Sequence, residues 1–293
     1  ANTIELVDKD ERIIAKKNVK IYNEGETIYA DEMDYDKSKQ IIEAKGNIII
    51  DNLNENIKIY SEELTYLKNI EKIILSNNVK IKFEEKFLFY TNKVVYDKLS
   101  DEIIVDSVSS FEDLIGNKIT SNNSKYLVKK KLLKMNKVSM LDEDKNEYYF
   151  NNAIVNLLSR ELIGDDIKIN FFKSSFGNVD NDPRLRGNYI YTNKEKSLIK
   201  KGVFTTCKIK KDDCPPWQFK SEEILHDKNK KTIYYKNAWL EIYEKPVFYF
   251  PKFFHPDPTV KRQSGFLAPR FESSSSLGDS VSVPYYKVIS DSK

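Results

Sequence analysis

The chain has 293 residues, with 48 basic and 45 acidic side chains for a formal charge of +3, a balance that leaves no electrostatic footprint for a nucleic acid. Nine glycines and nine prolines exclude a collagen-like or proline-rich chain, while 18 Tyr and 16 Phe favour strands over helices. At this length the chain can hold two domains and bury a substantial core.

The chain opens on Ala1-Asn-Thr-Ile, without the charged-then-apolar pattern of a signal region, and no stretch reaches the roughly 18 apolar residues of a membrane helix. From Leu6 to Ile169 the sequence then repeats about every 30 residues. One column reads Tyr35, Tyr66, Tyr96, Tyr126; a second reads Val19, Ile48, Val79, Val108, Val138, Ile167, with Ile21, Ile50, Ile81, Ser110, Met140 and Ile169 two residues further on. Acid and amide positions keep step as Asp31, Glu62, Asn92, Asn122 and Asn152. Each repeat holds two extended runs, such as Thr27 to Tyr35 and Ile41 to Ile50, separated by a polar turn. Alternation places Tyr29, Met33 and Tyr35 on one side of the first run, and Ala44, Gly46, Ile48 and Ile50 on one side of the second. Helical spacing does not fit. Stacked units of this kind predict an all-β jellyroll or solenoid with apolar columns along its inner faces.

The repeat pauses at Asn170 to Asn188, which reads as a long loop. It resumes where Lys220-Ser-Glu-Glu-Ile-Leu aligns with Tyr60-Ser-Glu-Glu-Leu-Thr at an offset of 160, carrying Asn77 onto Asn237. The first domain is therefore expected over residues 1–236. In 237–293, Leu267, Pro269 and Phe271 alternate with polar neighbours, as do Val281, Val283 and Tyr285 beyond Ser273-Ser-Ser-Ser-Leu-Gly278. Two such runs predict the first hairpin of an outer-membrane barrel whose remainder is absent.

Phe204-Thr-Thr-Cys207, Trp217, Asn237-Ala238, Pro246-Val-Phe-Tyr249, Lys261-Arg-Gln-Ser-Gly-Phe-Leu-Ala-Pro269 and Val283-Pro-Tyr-Tyr286 stand in the order and spacing of one family. The sequence resembles the lipopolysaccharide (LPS) assembly LptD, or organic solvent tolerance (OstA), family, densely from about Asn181 onward and more loosely upstream. The resemblance implies a periplasmic stacked β-jellyroll of OstA-like repeats, then a large barrel that inserts LPS into the outer leaflet, with an export signal removed. It also implies a location in the outer membrane, and as partners LPS, the periplasmic bridge LptA and the lipoprotein LptE. The apolar columns alone are what an ordinary closed core would show. The family's jellyroll is an open-sided trough for acyl chains, which implies Ile48, Ile50, Val79, Ile81, Val108, Val138, Met140 and Ile167 as its lining. A charge at Ile81 or Val138 is then expected to block transfer and leave the stack folded. The family carries prolines at Pro269 and Pro284 and opens the seam between the first and last barrel strands to let LPS pass, so these two are the expected lateral gate.

Cys207 matches the family's cysteine, which is linked to one near the far end of the barrel; a local bridge from Cys207 to Cys214 stands as the other pairing. With His226 and His255 these cysteines could be written as a zinc set, but the gaps are wider than zinc-finger spacing, so no metal or other cofactor is expected. No catalytic motif is present, and an enzyme is not expected. The rival reading is a periplasmic scaffold or bridge of the LptA/LptC type without its own barrel.

Overall fold

The computed structural model describes every residue except 10, 24, 53, 85, 174–179, 209–214, 257–259, 261–263, 267–269, 275–277 and 290–293. Among the described residues the chain is all-β, with a single short 3-10 turn at Lys68–Ile70. It divides into two compact units, residues 1–158 and 159–293.

The first unit contains β1 (Thr3–Val7), β2 (Arg12–Asn23), β3 (Glu26–Asp36), β4 (Ile41–Asn52), β5 (Ile57–Leu67), β6 (Lys72–Phe83) and β7 (Phe87–Asp97). It continues through β8 (Glu102–Val105), β9 (Ser109–Asp113), β10 (Lys118–Ser121), β11 (Asn123–Leu127), β12 (Leu132–Leu141) and β13 (Glu147–Asn156). Each strand pairs antiparallel with its sequence neighbour from β1 through β7. β7 then pairs with both β8 and β9, and β12 with both β10 and β11. β8–β9 and β10–β11 are thus two long strands, each interrupted at its middle.

The interruption marks a corner that recurs along the first unit, as a two-residue bulge on β2, β4 and β6 and as a single positive-φ residue, Lys137, on β12. On β4, Gly46 and Asn47 stand opposite the single residue Glu62, because Lys45 pairs with Glu63 and Ile48 with Ser61. Lys17 and Asn18 on β2 face Asp31 in the same way, and Asn77 and Asn78 on β6 face Asn92. All six corner residues have positive φ. Two residues against one is a bulge, which bends the strand and strengthens its twist, so each rung turns from one wall of the jellyroll into the other. Asp31, Glu62 and Asn92 of the acid and amide column are the single residues that face these bulges, where polar side chains bond locally. Asn47 Nδ2 donates to Asp31 Oδ2 at 2.8 Å, and Asn136 Nδ2 to Asn152 Oδ1 at 2.9 Å.

The corner also shifts the alternation. On β5, Ile57, Ile59 and Ser61 are buried before it, and Leu64 and Tyr66 after it. The same skip on β3 puts Ile28 and Ala30 inside and turns Tyr29 outward, so Tyr29 does not share a face with Tyr35.

The second unit holds β14 (Glu161–Asn170), β15 (Arg184–Thr192), β16 (Lys196–Thr205), β17 (Trp217–Asp227), β18 (Thr232–Ile242) and β19 (Lys245–Pro256), paired consecutively and antiparallel. Arg184–Asn188, expected in a loop, begins β15; Gly187 pairs with Ile167, so the repeat continues there. The offset of 160 holds in detail. Ser61 Oγ donates to Glu63 O at 3.0 Å and Ser221 Oγ to Glu223 O at 2.8 Å, with Asn77 and Asn237 both at positive φ. β18 runs without a break through Lys236 and Asn237. Beyond β19, β20 (Gly265–Phe266) pairs with β23 (Tyr285–Tyr286), and β21 (Arg270–Ser274) pairs with β22 (Gly278–Ser282), forming the hairpin expected across Ser273 to Gly278.

Gly46 tests the corner. Its φ is +74°, and an added Cβ would lie 2.5 Å from Asp31 Oδ2. Gly46→Ala should therefore lower unfolding stability by about 1–2 kcal/mol, read from the urea midpoint of the first unit, with Asn47→Gly having a smaller effect.

Candidate functional site: an apolar interior closed along one mouth

Folding each rung at its corner sets two apolar walls face to face within the first unit. Ile48, Ile50, Val79, Ile81 and Val138 lie on one wall and are almost fully buried. The other wall is formed by Ala15, Ala44, Leu75, Val105 and Met135, also buried, and its spacing of about 30 residues shows the repeat as clearly as the first wall does.

Of the expected lining residues, Val108 is misplaced: it is 70% exposed, and Ser109 takes the inward position. The break between β8 and β9 supplies one more residue than the column assumes, so Ser109 and Phe111, not Val108 and Ser110, continue it. The buried hydroxyls of Ser109, Ser121 and Ser124 satisfy one another at 2.7–3.0 Å. Met140 is only half-buried. Ile167 is buried, within the second unit.

The interior is tightly packed. A crevice of about 10 Å³ among Ile81, Phe83, Phe89, Val105 and Tyr126 has room for about one water, far less than an acyl chain. A charge at Ile81 would thus be buried in a core, contrary to the expectation that the stack would stay folded.

Away from the corners, the strand-end turns form two rows that meet. In one row Lys68 N donates to Gln40 O, Lys98 N to Glu71 O, Val128 N to Asp101 O and Leu157 N to Lys131 O, at 2.9–3.0 Å. The other row includes Glu26, Asn52, Glu55, Phe83 and Glu84. Two ion pairs cross between the rows: Lys98 Nζ to Glu26 Oε2 at 2.9 Å and Lys131 Nζ to Glu55 Oε2 at 2.6 Å. Glu26 is buried, and its other oxygen accepts from Asn52 Nδ2 at 2.9 Å. The Tyr column lies beneath. Tyr126 meets Phe83 edge to face at 4.7 Å, and Lys98 sits 5.8 Å from the Tyr66 ring. Burial raises the Tyr96 phenol pKa well above its ordinary value, and the negative field of Glu26, Asp101 and Glu55 adds to it. Tyr126 is raised by burial and then by Glu84 and Glu55. Both phenols therefore stay neutral.

The other expected positions lie in the second unit. Cys207 is part-buried, its Sγ 3.7 Å from Trp217 O; Cys214 lies outside the described residues, and so does the proposed bridge. Pro269 likewise lies outside them. Pro284 is half-buried between β22 and β23. Among the described residues no group of three or more His, Cys, Asp or Glu is placed to hold a metal; His255 is engaged with Tyr235 Oη at 2.9 Å.

A meander folded at a ladder of corners around a continuous apolar interior defines a β-jellyroll of the repeat type. The family model described as OstA-like protein matches residues 1–149, half of the chain, and the chain belongs to that family. It is 28% identical to the LPS-assembly protein LptD of Idiomarina loihiensis over 200 residues, 64% of this chain and 24% of that one. It is 31% identical to LptD of Pseudomonas putida over 134 residues, 43% and 14% of the two chains. The match to LptD of Francisella tularensis subsp. novicida is 41% over 70 residues, 24% and 8% of the two chains. The chain thus spans about a quarter or less of the length of these relatives.

Ile81→Asp should unfold the first unit, by on the order of 4 kcal/mol, because the carboxylate is buried without a partner. Ile81→Ala should cost about 2–5 kcal/mol through the cavity it leaves. Urea denaturation followed by far-ultraviolet circular dichroism checks both.

Proposed function

We propose that this chain is the N-terminal part of an outer-membrane LPS-assembly protein. Its jellyroll receives LPS from a periplasmic bridge of the LptA type and passes it to a barrel held with an LptE-type lipoprotein. The chain is a carrier rather than an enzyme. The observation that supports this most directly is the pair of facing, largely apolar walls of the first unit meeting at a mouth, in a chain whose relatives bear the name LPS-assembly protein. Each methylene kept from water contributes about 0.8 kcal/mol, so several acyl tails cannot cross an aqueous compartment uncovered. Parted walls would cover them.

We place the jellyroll in the periplasm over about 1–236 and the start of the barrel over 237–293. Support comes from the apolar residues that the last strands expose: Val247, Phe248, Tyr249 and Phe254 on β19, then Val281, Val283 and Tyr285. Contiguous exposed apolar surface suits a lipid contact. In the complete barrel, Pro269 and Pro284 lack the amide hydrogen that strand pairing uses, and we assign them to the lateral gate. The first-unit columns, with Ser109 replacing Val108, are the proposed lining.

The packed interior favours a second reading, a scaffold that carries no lipid. Photocrosslinking separates the two. A benzoylphenylalanine at Tyr126 or Phe83, each aromatic already, should give an LPS adduct in cells, and one at exposed Tyr22 should not; no adduct at either buried position supports the scaffold.

The bridge is proposed to add to the first edge, where β1 covers only Arg12 to Lys16 of β2 and exposes Ile4 and Leu6. Unpaired backbone groups there are a template for another strand. Deleting residues 1–23 should abolish co-purification with the bridge; retained binding would put the contact elsewhere.

A further inference from the structure

Lys98–Glu26 and Lys131–Glu55 differ from the other ion pairs of the first unit. Arg12–Asp34, Lys72–Asp97 and Lys125–Glu102 join neighbouring strands, where exposed pairs contribute little. The two crossing pairs join residues 72 and 76 positions apart, and both lysines are largely covered, at 19% and 17% side-chain exposure. Among the described residues the strand ladders join each rung to its neighbours, and its walls are continuous at the corner. The mouth is therefore where the walls can part without breaking a strand ladder. Among the described residues, side-chain contacts hold it, including the Tyr66, Tyr96 and Tyr126 rings, Phe83, and these two ion pairs.

We propose that Lys98–Glu26 and Lys131–Glu55 form a two-point latch over the mouth, and that a phosphate-bearing lipid opens it by drawing the two lysines from their carboxylates. This rests on the lipid-carrying reading above. Acyl chains entering between the rows separate Lys98 from Glu26 and Lys131 from Glu55. Both carboxylates lie on one row and both ammonium groups on the other, so parting leaves two cations on one lip. Phosphate oxygens accept charge-assisted bonds from ammonium groups as carboxylates do. A phosphorylated headgroup at that lip replaces what the lysines lose, whereas a neutral headgroup leaves them unpaired. The latch thus selects for anionic amphiphiles and keeps the interior dry when none is bound.

The test uses the whole chain with Cys207 and Cys214 changed to Ser and spin labels at Leu99→Cys and Asn54→Cys, exposed positions beside the two lips. The unmodified latch should give one narrow inter-label distance, and Glu26→Gln with Glu55→Gln should add a longer population. If that variant does not fold, Glu55→Gln alone, at the more exposed carboxylate, gives the same comparison. Lipid A in detergent micelles should shift the unmodified chain to the longer distance. Dephosphorylated lipid A should do so roughly tenfold less readily, and inorganic phosphate alone not at all. Adding Lys98→Gln and Lys131→Gln to the Glu→Gln pair leaves the mouth unlatched without stranding a charge, and should erase the preference for the phosphorylated lipid. A distance distribution unchanged by the Glu→Gln pair overturns the latch. A preference that survives the quadruple variant overturns the lysines' role. A mouth that opens in the Glu→Gln pair yet takes up neither lipid overturns the lipid-carrying reading and the exchange with it, while the ion pairs remain the fastening.

Discussion

The structure depends on the corner in each rung. A strand of about 11 residues extends some 35 Å and, if straight, would give a flat single sheet with one apolar face open to water. On β2, β4 and β6, two residues at positive φ opposite one partner bend it at midlength. The inner faces of both halves then become each other's cover, and a plain meander encloses a core without a second chain segment. The cost is a local break in the ladder, and Asp31, Asn47, Asn136, Asn152 and the Ser109, Ser121, Ser124 hydroxyls bond there instead. Each corner thus exchanges backbone pairing for side-chain pairing at the same height in successive rungs, so a column of small polar residues runs beside columns of large apolar ones.

That exchange explains what could be read in the sequence. A repeat of fixed length reveals which residues are equivalent, and equivalence sufficed for Ile48, Ile50, Val79, Ile81 and Val138. The acid and amide column was visible too, but its meaning was not, since periodicity marks a position without showing that two residues of the neighbouring strand stand opposite it. The skip in alternation was legible in principle. Ile57 and Ile59 have one parity and Leu64 and Tyr66 the other, so a strand with two apolar registers must bend between them. Reading β3 with one register put Tyr29 on the wrong face, and reading the column straight through Asp106-Ser107 put Val108 inside. What could not be read was contact across the mouth. Glu26 and Lys98, or Glu55 and Lys131, belong to different rungs and to no shared column.

The closed interior and the carrier reading are compatible because of where the stability lies. Strand pairing runs around the corner side and within each wall, and the walls hold each other by apolar contact and by the mouth residues. Separation along the mouth would expose Ile48, Ile81 and their facing partners to water unless something apolar replaced them. A lipid tail can make that replacement, since the contacts are non-directional. Water makes it poorly, as the crevice beside Tyr126 holds about one molecule's volume. On the proposed carrier reading, such an interior rests shut until a guest that resembles what it displaces opens it. This also explains why substituting a charge at Ile81 is a poor probe of transport: it disturbs the resting packing before any guest arrives.

The two units use the same residue types in opposite ways. In the first, Phe83, Phe87, Phe89 and Phe111 are nearly buried; in the second, Phe248 and Phe254 are half or more exposed, and the Trp239 and Tyr249 rings meet at a tilt 4.8 Å apart with both partly exposed. Beneath them Phe219, Tyr235, Phe250 and Phe253 form a packed cluster, so β19 carries aromatic side chains toward the core and away from it. A strand that is apolar on both faces is costly at a water-facing edge, and large exposed aromatics there invite aggregation. The same strand is suited to a place where one face meets protein and the other meets lipid. Exposed aromatic side chains come closest together in sequence from Trp239 onward, at Trp239, Tyr243, Phe248, Tyr249 and Phe254, so the proposed boundary at 236/237 would put any change of surrounding solvent within β18 and β19, which pair without a gap.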